Sequence, residues 1–139
     1  MHRNLPRIVD QGGDPPCWAH LIDESPDDGL LIDLDALSTG EGDGVTWSLP
    51  HGGDLDANLI RLGPRAAIEE HRNDDVDVLV VVQSGTGEIV VGDSVREVAG
   101  DQLMLIPRGS RRAIHASEHG LVYLSIHRAR GPLTVRPRR

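Results

Sequence analysis

Apolar residues recur along this chain in short runs that are separated by Gly, Pro, Asp or Ser. From residue 45 onward the runs have the length of β-strands and fall at 45–49, 55–62, 76–82, 88–91, 102–106, 113–116 and 121–126. No helical periodicity intervenes, so the pattern predicts an all-β sandwich or barrel. Two segments between runs, Gly85-Thr86-Gly87 and Pro107-Arg108-Gly109-Ser110, are interpreted as turns that join neighbouring strands.

The first 44 residues follow a looser pattern. Clusters rich in Gly, Pro, Asp and Ser mark turns near residues 12–16, 25–29 and 39–44. Two apolar runs between them, 18–22 and 30–34, are expected to be short strands that cover a sheet edge, in the same chain or in a partner subunit. We therefore divide the chain into a loop-rich N-terminal extension (1–44), a β-barrel (45–127) and a basic C-terminal tail (128–139).

Composition constrains the number of domains, the core and the expected location of the protein. The 139 residues are the size of one domain, and with no Phe, two Trp and one Tyr the core must be aliphatic. Cys17 is the only cysteine, so no internal disulfide can form. No apolar run approaches the roughly 20 residues of a membrane span. We expect a cytoplasmic protein that does not bind membranes.

Charge is unevenly distributed. The net charge is −8, yet five of the 14 basic residues lie in the last twelve positions, which contain no acid. The rest of the chain is strongly acidic and would repel the phosphate backbone, so nucleic acid is not an expected partner. The tail itself is interpreted as a solvated terminus.

Two stretches carry most of the chemical information. In 69–87, His71, Asn73 and Asp77 have the spacing of the pattern HxHxxxE. An apolar strand and a glycine come after them. In 100–115 a Gly-Asp pair and an apolar strand precede Pro107 and Gly109, with Arg112 three residues after that glycine. These stretches resemble the two conserved motifs of the cupin superfamily.

The resemblance implies a cupin-type double-stranded β-helix, a jelly-roll barrel, over most of one domain. It also implies a metal site, because the cupin motifs supply three histidines and a glutamate. Of those four positions only His71 is unchanged here, since Asn73, Asp77 and Arg112 occupy the others. The resemblance therefore predicts the fold and removes the usual argument for a metal.

Strand parity suggests how these residues are arranged. If 71–81 is extended without a bulge, His71, Asn73 and Asp77 share the inward face, together with Leu79 and Val81. On the later strand Arg112 would face inward and His115 outward. We expect Arg112 to pair with Asp77 and to supply the positive charge of the missing metal, and thus to recognise a carboxylate or phosphate. The alternative is that Arg112 lies at the exposed rim.

Two further residues complete the candidate site. Tyr123 and His127 share strand parity with Ser125, and with His71 they could supply the acid and base of a metal-free epimerase mechanism. The candidate ligand-binding residues are thus His71, Asn73, Asp77, Arg112, Tyr123 and His127. If a divalent metal such as Zn, Mn, Fe or Ni binds, the expected ligands are His71, Asp77 and His127.

Three functions remain open at this point. The first is a homodimeric protein that binds a small organic, preferably anionic, ligand in its barrel without a cofactor. The second is a metal-dependent cupin enzyme of the oxygenase or isomerase type with a displaced ligand set. The third is a non-catalytic dimeric scaffold in which the extension completes the sheet of the partner subunit.

Overall fold

The computed structural model describes residues 22–25, 29–38, 40–50 and 53–129. This part of the chain contains nine strands and one short helix: β1 Ile22–Ser25, β2 Gly29–Ile32, α1 Leu34–Leu37, β3 Gly44–Ser48, β4 Leu55–Leu62, β5 Ala67–Arg72, β6 Val78–Val91, β7 Ser94–Ala99, β8 Leu103–Ile106 and β9 Arg111–Arg128. The predicted all-β class is confirmed. Most of the predicted run 18–22 and the tail beyond Ala129 lie outside the described residues, and no described helix is long and apolar enough to cross a membrane.

Strands β3 to β9 form two layers that share the long strands β6 and β9. In the first layer the order is β3, β4, the C-terminal half of β9, the N-terminal half of β6, and β8. In the second layer it is β5, the N-terminal half of β9, the C-terminal half of β6, and β7. All these pairings are antiparallel, so the two layers form a double-stranded β-helix with its core between them.

The two long strands bend where they pass from one layer to the other. The predicted runs 76–82 and 88–91 both belong to β6, and 113–116 and 121–126 both belong to β9, so the predicted hairpin turn at residues 85–87 is wrong. Gly85 and Gly120 have φ of 83° and 76°, and a Cβ atom on Gly85 would overlap the carbonyl oxygen of Gly120. Glycines at this crossing allow the backbones to approach closely while each strand turns a corner.

The sequence pattern missed β5, which is mostly polar, and β7, whose apolar residues Val95 and Val98 are interrupted by Arg96 and Glu97; both strands are mostly exposed. By contrast, the turn predicted at residues 107–110 is present, with the Ser110 amide donating to the Pro107 carbonyl.

A second apolar cluster lies on the outer side of the first layer. There Leu37 of α1 packs with Trp47, Leu59 and Val122, and Ile32 lies against the same cluster. This segment of the extension therefore covers the barrel of its own chain. Asp33 is the N-cap of α1, and its Oδ1 accepts a hydrogen bond from the Ala36 amide.

Candidate functional site

A cavity of about 460 Å³ lies between the two layers. Its apolar wall comes from β4, β5, β6, β8 and β9: Ile60, Ile68, Val78, Val80, Ile106 and Ile114. Its polar wall includes His71, Asn73, Arg112, Tyr123, Ser125 and His127, with Arg72, Asp74 and Asp75 at the mouth. Five of the six candidate residues predicted from the sequence thus border one cavity, and Asp77 does not.

Arg112 faces inward, as parity predicted, and only 6% of its surface is exposed. The alternative of an exposed rim position is therefore wrong, whereas His115 is exposed as predicted. Arg112 on β9 is the register partner of His71 on β5, and its Nε donates to His71 Nε2 at 3.4 Å. The guanidinium is in this way held against one wall of the cavity by the neighbouring strand.

The two hydrogen bonds of His71 determine its tautomer. Its Nδ1 lies 2.9 Å from the carbonyl oxygen of Glu69, which can only accept, so Nδ1 carries a proton. Its Nε2 faces the guanidinium of Arg112, which can only donate, so Nε2 carries none. In this hydrogen-bond pattern Nε2 of His71 is the acceptor, and its lone pair is directed at Arg112.

Tyr123 is almost fully buried, with 2% exposure. Burial raises the pKa of its hydroxyl well above the usual range, and the nearby positive charge of Arg112 lowers that pKa only in part. The hydroxyl therefore stays protonated at neutral pH and is available as a neutral hydrogen-bond donor in the cavity.

Asp77 lies outside the cavity, and the expected pair of Asp77 with Arg112 is wrong. The parity argument assumed a continuous strand, but β5 ends at Arg72 and β6 begins at Val78. The intervening loop shifts the alternation by one residue, so Val78 and Val80 face inward while Leu79 faces outward. The Oδ1 of Asp77 instead accepts a hydrogen bond from the Arg108 amide at 2.8 Å and holds the turn before β9.

Asn73 shapes this loop. Its Oδ1 accepts hydrogen bonds from the amides of Asp75 (2.9 Å) and Val76 (3.3 Å), and its carbonyl accepts one from Gly109 (2.7 Å). An asparagine at this position fits an Asx-type turn, in which the side-chain oxygen takes the place of a backbone acceptor. Its oxygen is thus committed to the loop, although the residue borders the cavity.

His127 is located at the far end of the polar wall, next to Ser125 and Tyr123 on β9. Its Nδ1 lies 2.9 Å from the carbonyl of Arg128 and donates to it, so Nε2 is the nitrogen left for other partners. Ser125 was not among the predicted site residues, although its shared parity with Tyr123 and His127 was the signal that could have identified it. Asp74 and Asp75 are exposed at the mouth of the cavity.

The residues present do not fit the metal that cupin motifs usually hold. His71 directs Nε2 at a guanidinium that cannot ligate, and Asp77 faces away from the cavity. Within the described ranges, no group of three or more His, Cys, Asp or Glu side chains is arranged to hold a metal ion. The set of His71, Asp77 and His127 expected for a metal is therefore not assembled.

Comparison by sequence finds no matching family model and no matching curated protein. Comparison by structure finds many. A double-stranded β-helix protein from Klebsiella pneumoniae is 16% identical with a TM-score of 0.62, over 76% of this chain and 90% of that chain. The cupin domain of Cnp3 from Schizosaccharomyces pombe is 14% identical with a TM-score of 0.61, over 71% and 73% of the two chains.

A cupin protein from Bacteroides fragilis is similar too, at 18% identity and a TM-score of 0.52, over 61% of this chain and 74% of that one. These neighbours confirm the fold that the two motifs predicted: the chain has the cupin fold. At such low identity the likeness concerns the fold, and the chemistry has to be argued from the cavity.

Proposed function

We propose that this protein binds a small organic anion with an aliphatic body, and that Arg112 pairs with the anionic group inside the barrel. The observation that supports this most directly is the position of Arg112, a guanidinium with 6% exposure on the wall of a cavity. In a low-dielectric cavity a cation attracts an anion far more strongly than it does at the surface. The planar fork of arginine also matches a carboxylate or phosphate through two parallel hydrogen bonds.

The rest of the cavity suits the same ligand class. Tyr123 keeps its proton and can donate to an anionic oxygen, and Ser125 adds a second hydroxyl. Asp74 and Asp75 are exposed at the mouth and would disfavour a second negative charge on the outer end of the ligand. With an aliphatic wall and a volume typical of small-molecule sites, the cavity favours a monoanion such as an aliphatic carboxylate.

Arg112 occupies the position at which the second cupin motif has a metal-binding histidine. In this proposal it supplies a permanent positive charge where other cupins hold a metal ion, so ligand recognition needs no cofactor. The contrary possibility is a metal enzyme that uses His71, Asp77 and His127. We expect protein purified without chelators to contain no stoichiometric Zn, Mn, Fe or Ni by elemental analysis. Stoichiometric metal that is lost in a His71→Ala variant would overturn the replacement of the metal by arginine.

Ligand binding is tested by thermal unfolding with hexanoate and with hexanamide, its uncharged counterpart. A ligand at 100 times its dissociation constant stabilises the native state by about 2.7 kcal/mol, so the screen is run at large excess. We expect hexanoate to raise the melting temperature of the wild type and of Arg111→Met, and to have no effect on Arg112→Met. Arg111 is the matched control because it is the adjacent arginine and is exposed on the outer face.

Three outcomes would contradict the proposal. Equal stabilisation by hexanoate and hexanamide would mean that charge is not recognised, and undiminished stabilisation of Arg112→Met would mean that Arg112 is not the partner. If monocarboxylates, sugar phosphates and neutral sugars all fail to stabilise the wild type, the scaffold function is favoured over ligand binding.

A further inference from the structure

The inner face of the first layer is divided into a polar half and an apolar half. Register partners in an antiparallel sheet share a face, so the pairing around Ser125 identifies its neighbours on the inner face. Ser125 pairs with Asn58 on β4, and Asn58 pairs with Ser48 on β3. On its other side Ser125 pairs with Val80 on β6, and Val80 pairs with Met104 on β8. This row of residues is polar on β3, β4 and β9 and apolar on β6 and β8.

An adjacent row shows the same division. His127 pairs with Asp56 on β4 and with Val78 on β6, and Val78 pairs with Ile106 on β8. An inner face that only filled a core would be apolar on every strand. The polar half of this face therefore meets polar partners, which are either solvent or a ligand in the cavity.

Burial distinguishes the two kinds of partner along the row. Ser48 is exposed, whereas Asn58 and Ser125 are half-buried, and Ser125 borders the cavity. Among the described residues, the Ser125 hydroxyl has no hydrogen-bond partner. Polar groups that are withdrawn from solvent are nearly always hydrogen-bonded. The partner of this hydroxyl is therefore a molecule in the cavity, either water or the ligand that displaces it.

Asn58 provides a second donor beside Ser125. Its Oδ1 accepts a hydrogen bond from Ser48 Oγ at 2.6 Å, so the oxygen end of the amide faces β3. Ser48 and Ser125 flank Asn58 on opposite sides, and the amide nitrogen is therefore on the side of Ser125. A hydroxyl can donate or accept, whereas an amide nitrogen only donates. Together they suit an oxygen that has free lone pairs, such as a hydroxyl or a carbonyl oxygen.

We propose that Ser125, with Asn58 beside it, recognises a neutral oxygen of the ligand, so that the cavity selects a hydroxy- or oxo-carboxylate over an unsubstituted one. This inference rests on the proposed function, in which Arg112 pairs with the anionic group. The second oxygen is expected to be neutral, because Asp56 in the adjacent row and Asp75 at the mouth would repel another anion. The apolar half of the face then packs against the carbon chain.

Isothermal titration calorimetry of the full chain tests this selectivity. The probes are hexanoate, β-hydroxyhexanoate, δ-oxohexanoate and ω-hydroxyhexanoate, which share one chain length and one charge. We expect at least one oxygenated acid to bind the wild type about 10-fold more tightly than hexanoate, because one additional hydrogen bond has roughly that effect. The ratio of the two dissociation constants is the measured quantity, so a general change in affinity cancels.

Three variants assign the preference to the polar half of the face. In Ser125→Ala the ratio should fall to about 1, because the hydroxyl that distinguishes the two acids is gone. In Asn58→Leu it should fall in part. Ser94→Ala is the matched control, since Ser94 is an exposed serine on β7, and it should keep the ratio of the wild type. Circular dichroism of each variant establishes that the strands are retained.

The possible failures of the two proposals are distinguishable. If hexanoate binds the wild type and no oxygenated acid binds more tightly, the selectivity is overturned and the proposed function stands. If none of the four acids binds, both are overturned. An undiminished ratio in Ser125→Ala, or an equal loss in Ser94→Ala, would also overturn the selectivity, because the oxygen would then not be recognised by Ser125.

Discussion

At the scale of residues, the proposed ligand preference depends on the pair of His71 and Arg112 in the wall of the cavity. The Nε2 of His71 accepts a hydrogen bond from the guanidinium of Arg112, a group that can only donate and cannot ligate a metal. Lysine could not replace this arginine without loss, because an ammonium lacks the planar fork that engages two oxygens at once. In the proposed function this arginine takes the place of a metal-binding histidine, and the expected ligand is an anion.

Tyr123 provides a prediction at the same scale, because it is the only tyrosine in the chain. Its pKa is raised by burial, so tyrosinate absorbance should not appear in the folded protein at pH 11 but should appear in urea with a midpoint near pH 10. The free energy of unfolding should be insensitive to this group below about pH 10 and should fall above it, because only the unfolded chain then releases the proton.

Ultraviolet titration with and without urea measures this directly, and Tyr123→Phe is the control that removes the signal. Tyrosinate formation near pH 10 in a protein that circular dichroism shows to be folded would contradict the buried position of the hydroxyl.

At the scale of elements, the bends in β6 and β9 create the cavity. Each strand contributes to both layers, so the residues before and after its bend face one another across the core. The glycines at the bend were visible in the sequence, but a Gly-Thr-Gly segment is equally suited to a hairpin turn. A hairpin turn and a bend in a strand differ in the strand that pairs with the Gly-Thr-Gly segment. Its partner here is β9, which lies about 30 residues further along the chain.

Substitution of Gly85 by alanine should therefore be costly. The added Cβ would overlap the backbone of Gly120, and alanine is strained at φ of 83°, so we expect a loss of about 3 kcal/mol or more of unfolding free energy. Gly92→Ala is the matched control, because Gly92 also has positive φ (59°) but has open space around the added atom. It should cost about 1 kcal/mol.

Urea denaturation of the two variants and the wild type provides the measurement. Equal losses for Gly85→Ala and Gly92→Ala would mean that backbone strain alone matters, and that the close approach of the two strands does not.

At the scale of the whole molecule, the barrel has two apolar surfaces to bury and the extension covers only part of the second one. The core between the layers is complete in the described residues, whereas the outer face carries Trp47 under the extension and exposed leucines beside it. The open half of the outer face adjoins Asp75 and His127, which also border the cavity.

The local sequence determined the parts of this protein that depend on neighbouring residues. Alternation and turn residues predicted the all-β class and β4 at its observed bounds, and parity predicted that Arg112 faces inward, because each depends on a few consecutive positions. The two short motifs were sufficient for the cupin fold.

Only the tertiary structure decided the points that depend on contacts between distant segments. The loop of residues 73–77 directs Asp77 outward because the Arg108 amide, 31 positions away, binds its carboxylate. The partner of Arg112 is His71 because β5 and β9 lie side by side, although β5 was too polar to be predicted as a strand. After a bulge or loop, the direction of a side chain depends on its contacts with residues that are distant in the sequence. Local alternation carries no information about those contacts.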